Sequence, residues 1–130
     1  MTHKRKQRRS GTALIEFAFV LPVLFALFFG LWEWARVETI RQVASTASYN
    51  AARAGTLPGA SPADVTAVAE QTLAIYFVRD AQIVCSISNE ETSCDIAIPL
   101  KNNLWVGSKF FAGRQVESSF RVKNEIQPDF

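Results

Sequence analysis

TALIEFAFVLPVLFALFFGLW, residues 12–32, decides the architecture of this chain. The stretch carries one charge, Glu16. A helix of this length spans about 30 Å at ~1.5 Å per residue, which matches the hydrocarbon core of a bilayer. A cleaved secretory signal has a shorter apolar region, roughly 7–15 residues, and ends in a small-residue cleavage site. Here the apolar run passes directly into Trp32-Glu33-Trp34-Ala35-Arg36, which reads as an interfacial aromatic belt followed by a helix continuing in water. The expectation is a retained transmembrane helix over residues 12–35.

Charge is as segregated as hydrophobicity. Of the 14 Lys and Arg, five (Lys4, Arg5, Lys6, Arg8 and Arg9) precede the apolar run. The positive-inside rule keeps this leader, residues 1–11, in the cytoplasm and puts everything after the helix outside, in the periplasm of a Gram-negative cell. From Thr12 onward nine basic side chains face twelve acidic ones, a net of −3. The body therefore has no basic excess with which to neutralise phosphates, and a nucleic-acid-binding domain is disfavoured. A length of 130 residues excludes a large hydrolase or nucleotide-binding fold, and the one histidine, His3, stands in the leader.

Two residues break the pattern of a plain anchor. Glu16 is a carboxylate in the apolar run, where a charge is costly and usually has a partner, although so near the cytoplasmic end it can also snorkel to the headgroups. Pro22 removes one backbone hydrogen bond and loosens the helix, although prolines are tolerated in membrane helices.

With Gly11 they form a motif. Gly11-Thr12-Ala13-Leu14-Ile15-Glu16-Phe17 follows a basic leader and opens an apolar helix containing Leu21-Pro22. This resembles the processing site of type IV pilin-like proteins, which a prepilin peptidase cuts just after the glycine. With Ala-Phe-Val-Leu-Pro-Val-Leu and Leu-Trp-Glu-Trp-Ala-Arg following, it is similar to the TadE-like family of pseudopilins, from the tight-adherence (Flp pilus) assembly system. A TadF-like role in that system is also compatible, though the Glu16-Phe17 and Leu21-Pro22 pattern favours TadE-like. The resemblance implies a minor pilin of the bacterial inner membrane, cleaved between Gly11 and Thr12, active in pilus assembly and adhesion. Its implied partners are other pilins, the inner-membrane assembly machinery, the peptidase and the membrane. It further implies that Glu16 compensates the new ammonium of Thr12, in its own chain or a neighbour's, that Phe17 belongs to the assembly motif, and that Pro22 lets the helix bend on leaving the bilayer. The alternative is an uncut single-pass anchor whose outer domain binds envelope proteins.

Beyond the membrane the helix is expected to continue as a stalk over residues 36–55, with Gly55 as its C-terminal cap. Val37, Ile40, Ala44, Ala47, Ala51 and Ala54 recur at alternating spacings of three and four, giving one small, weakly apolar face. Ala44, Ser48, Ala51 and Ala52 would permit close helix approach. That face either packs on its own domain or docks another subunit. Leu57-Pro58-Gly59 then breaks the chain. A second helix starts with Ser61 as cap, Pro62 at the first position and Asp64 closing the box. Its expected stripe is Val65, Val68, Ala69, Thr72, Leu73 and Tyr76, ending near Phe77 or Val78. Period-two alternation follows over 82–88, 94–98 and 115–123, with a polar turn at 89–92. The fold class is α+β: a long N-terminal transmembrane and stalk helix, a short second helix and a small antiparallel sheet of about three strands, with 56–130 as a periplasmic domain.

Cys85 and Cys94 fall on inward faces of hairpin-linked strands in an oxidising compartment, so a structural disulfide is expected. The spacing is not Cys-x-x-Cys, and with no nearby histidine no metal site is expected. Leu104, Trp105, Phe110 and Phe111 lie in a loop over 102–113 that either closes the core or stays exposed for a partner. Asp64, Glu70, Asp80, Glu90, Glu91 and Asp95 fall on a cap, exposed faces and a turn, without a convergent pair. No enzymatic activity and no cofactor are expected.

Overall fold

A computed structural model describes residues 8–109, 111 and 113–124. Helix α1 (Arg8–Ala54) is a single helix of 47 residues that continues through Pro22. At ~1.5 Å per residue it is about 70 Å long, more than twice the thickness of a hydrocarbon core. Residues 11–32 are exposed on every side. This is one helix long and apolar enough to cross a membrane.

Burial begins abruptly after Trp32. Glu33, Val37, Ile40, Ala44, Ala47 and Ala51, spaced alternately by four and three, are at most 9% exposed. Val43, Ser48 and Ala52 widen the buried stripe. The small face of the helix therefore packs on its own domain. The alanines let the sheet approach closely: Ser48 Oγ and Ser118 Oγ, on α1 and the third strand, are 3.0 Å apart. Tyr49 meets the edge of Phe120 beside them, with ring centroids 5.0 Å apart.

Helix α2 (Pro62–Ile75) begins with the expected box: the Ser61 hydroxyl accepts from the Asp64 amide, and the Asp64 carboxylate accepts from the Ser61 amide. The Ser61 hydroxyl, and then its backbone N–H, hold the exposed Asp64 carboxyl below its ordinary value. Val65, Ala69 and Leu73 are buried, Val68 and Thr72 are half-buried, and Tyr76 is exposed. The helix stops before Phe77, earlier than periodicity implies. Phe77 N–H bonds to the Ala74 carbonyl and Val78 N–H to the Leu73 carbonyl, the double closure of a Schellman motif. That closure puts Phe77 at φ 55°, where glycine usually sits.

The expected role of Gly55 also changes. It does follow the last helical residue, but its φ is ordinary, since the glycines with positive φ are Gly59 and Gly113. Its smallness is needed for packing: a Cβ there would lie 2.5 Å from Thr92 Cγ2 and 3.1 Å from Val65 Cγ2.

Strands β1 (Gln82–Ile87), β2 (Glu91–Pro99) and β3 (Gln115–Lys123) form an antiparallel sheet in the order β1-β2-β3. Ile83, Cys85 and Ile87 share a face with Thr92, Cys94, Ile96 and Ile98 of β2 and with Val116, Ser118, Phe120 and Val122 of β3. This face covers α1, while α2 packs on α1 and β1. Strand β2 starts three residues before the expected Cys94, so the turn shortens to 88–90, closed by Ser88 N–H to the Glu91 carbonyl at 2.8 Å. The reason is Thr92, which is fully buried with its hydroxyl bonded to Asn124. Ile40, Ile96 and Ile98 are the large fully buried anchors. Each stabilises the fold by roughly 1.5–3 kcal/mol relative to an exposed side chain.

Candidate functional site

Gly11, Thr12, Glu16, Phe17 and Pro22 all lie on the exposed first half of α1. A Cβ on Gly11 would meet nothing within 4 Å, so no packing within the described residues calls for glycine there. The 11–12 bond is helical in the free chain. The extended form that a protease site takes up would need local unwinding, which glycine eases because it is the weakest helix former after proline. Glu16 lies one turn beyond Thr12, on the same side of the helix. Among the described residues the one ion pair is Arg41 with Glu38, at 2.8 Å. The leader residues 1–7 lie outside the described part.

A second constellation sits where the apolar helix meets the C-terminal domain, and it centres on Glu33, which sequence reading placed in the aromatic belt. Glu33 is only 8% exposed. Its Oε1 accepts the backbone N–H of Trp105, at 2.9 Å, and that of Val106. Its Oε2 is buried and has no hydrogen-bond partner among the described residues. It borders a groove of about 1180 Å³ between α1 and the β3 side of the domain, walled by Phe29, Trp34, Val37 and Phe111. Gly107 closes in beside it, since a Cβ there would lie 3.0 Å from the Phe111 ring. The signal for Glu33 was in the sequence: the alternating spacing through Val37 and Ile40 extrapolates back one step to this residue.

The loop from 100 to 114 contains two short 3-10 turns, Leu100–Asn102 and Gly107–Lys109. Asn103, 5% exposed, pins it: its side chain accepts from Arg79 N–H at 2.8 Å and donates to the Arg79 and Pro99 carbonyls. Arg36 donates to the Asn103 and Tyr76 carbonyls from α1. The two readings of the aromatic loop divide by residue. Leu104 is buried and Phe111 packs on the core, whereas Trp105 is 91% exposed. Phe110 lies outside the described residues.

Cys85 and Cys94 are directly opposite in the β1–β2 register and joined as a disulfide. Asp64, Glu70, Asp80, Glu90, Glu91 and Asp95 are all exposed. Among the described residues no cluster of His, Cys, Asp and Glu could hold a metal ion.

Residues 11–53 match the family model described as TadE-like protein. The match covers the membrane-length apolar segment and the part of α1 built into the C-terminal domain. No curated protein and no solved structure matches the chain.

Proposed function

We propose that this TadE-like chain is a pseudopilin, or minor pilin, of a tight-adherence Flp-type pilus, cut after Gly11 by a prepilin peptidase and active in pilus assembly and adhesion. The observation that carries the reading is a conjunction: Gly11 and Glu16 head a helix whose apolar residues are exposed on every side, within the matched region. In the bilayer that surface is satisfied by lipid. Outside it, Leu14, Ile15, Phe17 and Phe19, all more than half exposed, need the helices of neighbouring subunits. Cleavage exposes the Thr12 ammonium one turn from Glu16. Pairing of that carboxylate with the ammonium, of this chain or the next, offsets the cost of a charge at membrane depth. Pro22 leaves the carbonyl one turn back without its helical donor and marks the point where the helix can bend during extraction.

In this reading the leader is cytoplasmic, α1 crosses the inner membrane once, and the outer domain is periplasmic, linked to the other pilins and to the assembly machinery. The chain is a peptidase substrate and performs no reaction itself. Residues 1–11, 12–35, 36–55 and 56–130 would be leader, membrane helix, stalk and outer domain.

The test is intact mass and N-terminal sequencing of protein from native membranes, with and without the peptidase. The expected mature start is Thr12, dependent on the peptidase and blocked by Gly11→Val. A retained leader in a host with active peptidase would sink the proposal. The second reading, an uncut anchor recruiting envelope proteins, draws on the helical 11–12 bond and would then lead.

A further inference from the structure

We infer that the loop between β2 and β3 is a second membrane contact, which seats Trp105 and Val106 in the outer headgroup layer beside α1. The inference rests on residues 12–32 spanning the bilayer. Trp105 is 91% and Val106 61% exposed, side by side on this loop. Together they line a recess of about 450 Å³ with Phe28, Phe29 and Trp32. Those three belong to the last turn of the apolar segment, so whatever lies against them sits at the bilayer boundary. Tryptophan favours that depth, with its ring among acyl chains and its N–H among headgroups.

Two further features point to lipid as the occupant. Residues 100–114 read LKNNLWVGSKFFAGR, with Lys101, Lys109 and Arg114 and no acidic residue. Outside this loop the body after Gly11 has six basic residues against twelve acidic, so the exposed tryptophan sits on a cationic loop of an otherwise acidic body. All three basic side chains are exposed, as attraction to anionic headgroups requires. Moreover, backbone donors turned toward the acyl-chain boundary are costly to leave open, because that side of the interface offers them few partners. Glu33 Oε1 accepts both the Trp105 and Val106 N–H groups. Glu33 is thus a positioning residue: it lets an irregular loop sit against a membrane helix, and so lays the outer domain on the membrane surface.

The test uses full-length protein in vesicles of phosphatidylethanolamine and phosphatidylglycerol with brominated acyl chains, and acrylamide as the aqueous quencher. Trp32→Phe with Trp34→Phe leaves Trp105 as the reporter; Trp34→Phe with Trp105→Phe leaves Trp32. Trp105 should be quenched more by bromines near the headgroup than by those at mid-chain, and be protected from acrylamide, as Trp32 is. Glu33→Ala should return Trp105 to acrylamide, whereas Glu33→Gln, which keeps an acceptor oxygen, should not. Trp105 open to acrylamide while Trp32 is quenched by lipid overturns this inference and leaves the membrane helix standing. Both tryptophans open to acrylamide overturns the two together. Trp105 open in these vesicles but shielded in native membranes assigns the patch to a protein partner and also overturns it.

Discussion

At the scale of single residues, two positions carry opposite errors of fit. Gly55 occupies a place where any side chain collides with Thr92 and Val65, although its backbone is ordinary. Gly55→Ala should therefore lower stability by about 1–3 kcal/mol, the range for overpacking a close-packed site. A thermal melt in detergent that matches the parent protein would refute the steric account. Phe77 is the reverse case. Its ring is 82% exposed and packs on little, yet its backbone sits at φ 55°. Phe77→Gly should raise stability by roughly 0.5–1 kcal/mol, because a left-handed conformation costs a side-chain-bearing residue more than it costs glycine. A loss on chemical denaturation would mean that the Phe77 ring makes a contact worth more than the strain.

Among the elements, the β1–β2 hairpin shows how far local pattern reaches. Period-two alternation places Cys85 and Cys94 on one face, and the register pairs them. Their separation of nine residues closes a short loop. Replacing both with serine should cost about 2–3 kcal/mol, mostly by freeing the unfolded chain. Equal denaturation midpoints for oxidised and reduced protein would contradict this. Helix α2 was legible to its first residue, because Ser61, Pro62 and Asp64 act within one turn. Its end was not, because the Schellman closure is stabilised by Val78 settling on the core, and a tertiary contact chooses that stopping point. Strand β2 likewise extends to Glu91 because Thr92 finds Asn124, far along the chain.

For the molecule as a whole, α1 divides into two halves with different surroundings. Its first half is exposed and apolar, and its second half is the spine of the C-terminal domain. A fragment beginning at residue 30 keeps Glu33, Val37 and Ile40 and should unfold cooperatively in far-UV circular dichroism. A fragment beginning at residue 41 loses the burial of Val37 and Ile40, roughly 1.5–3 kcal/mol each, and the anchor of the 105–106 backbone. In a domain with about 5–15 kcal/mol in hand it should melt at much lower temperature or not fold. Equal melts would make this part of α1 a separable stalk. The sequence alone determined the membrane-length helix, the strand faces and the cysteine pair. Each is written in spacing over a few residues, which backbone geometry converts directly into structure. Only the tertiary structure decided that Glu33 is buried, that Gly55 is needed for space, and that Leu104 turns inward while Trp105 turns out. Those outcomes depend on groups from distant parts of the chain, 72 residues apart for Glu33 and Trp105. A polar or aromatic side chain can satisfy itself in several ways, and only packing selects one.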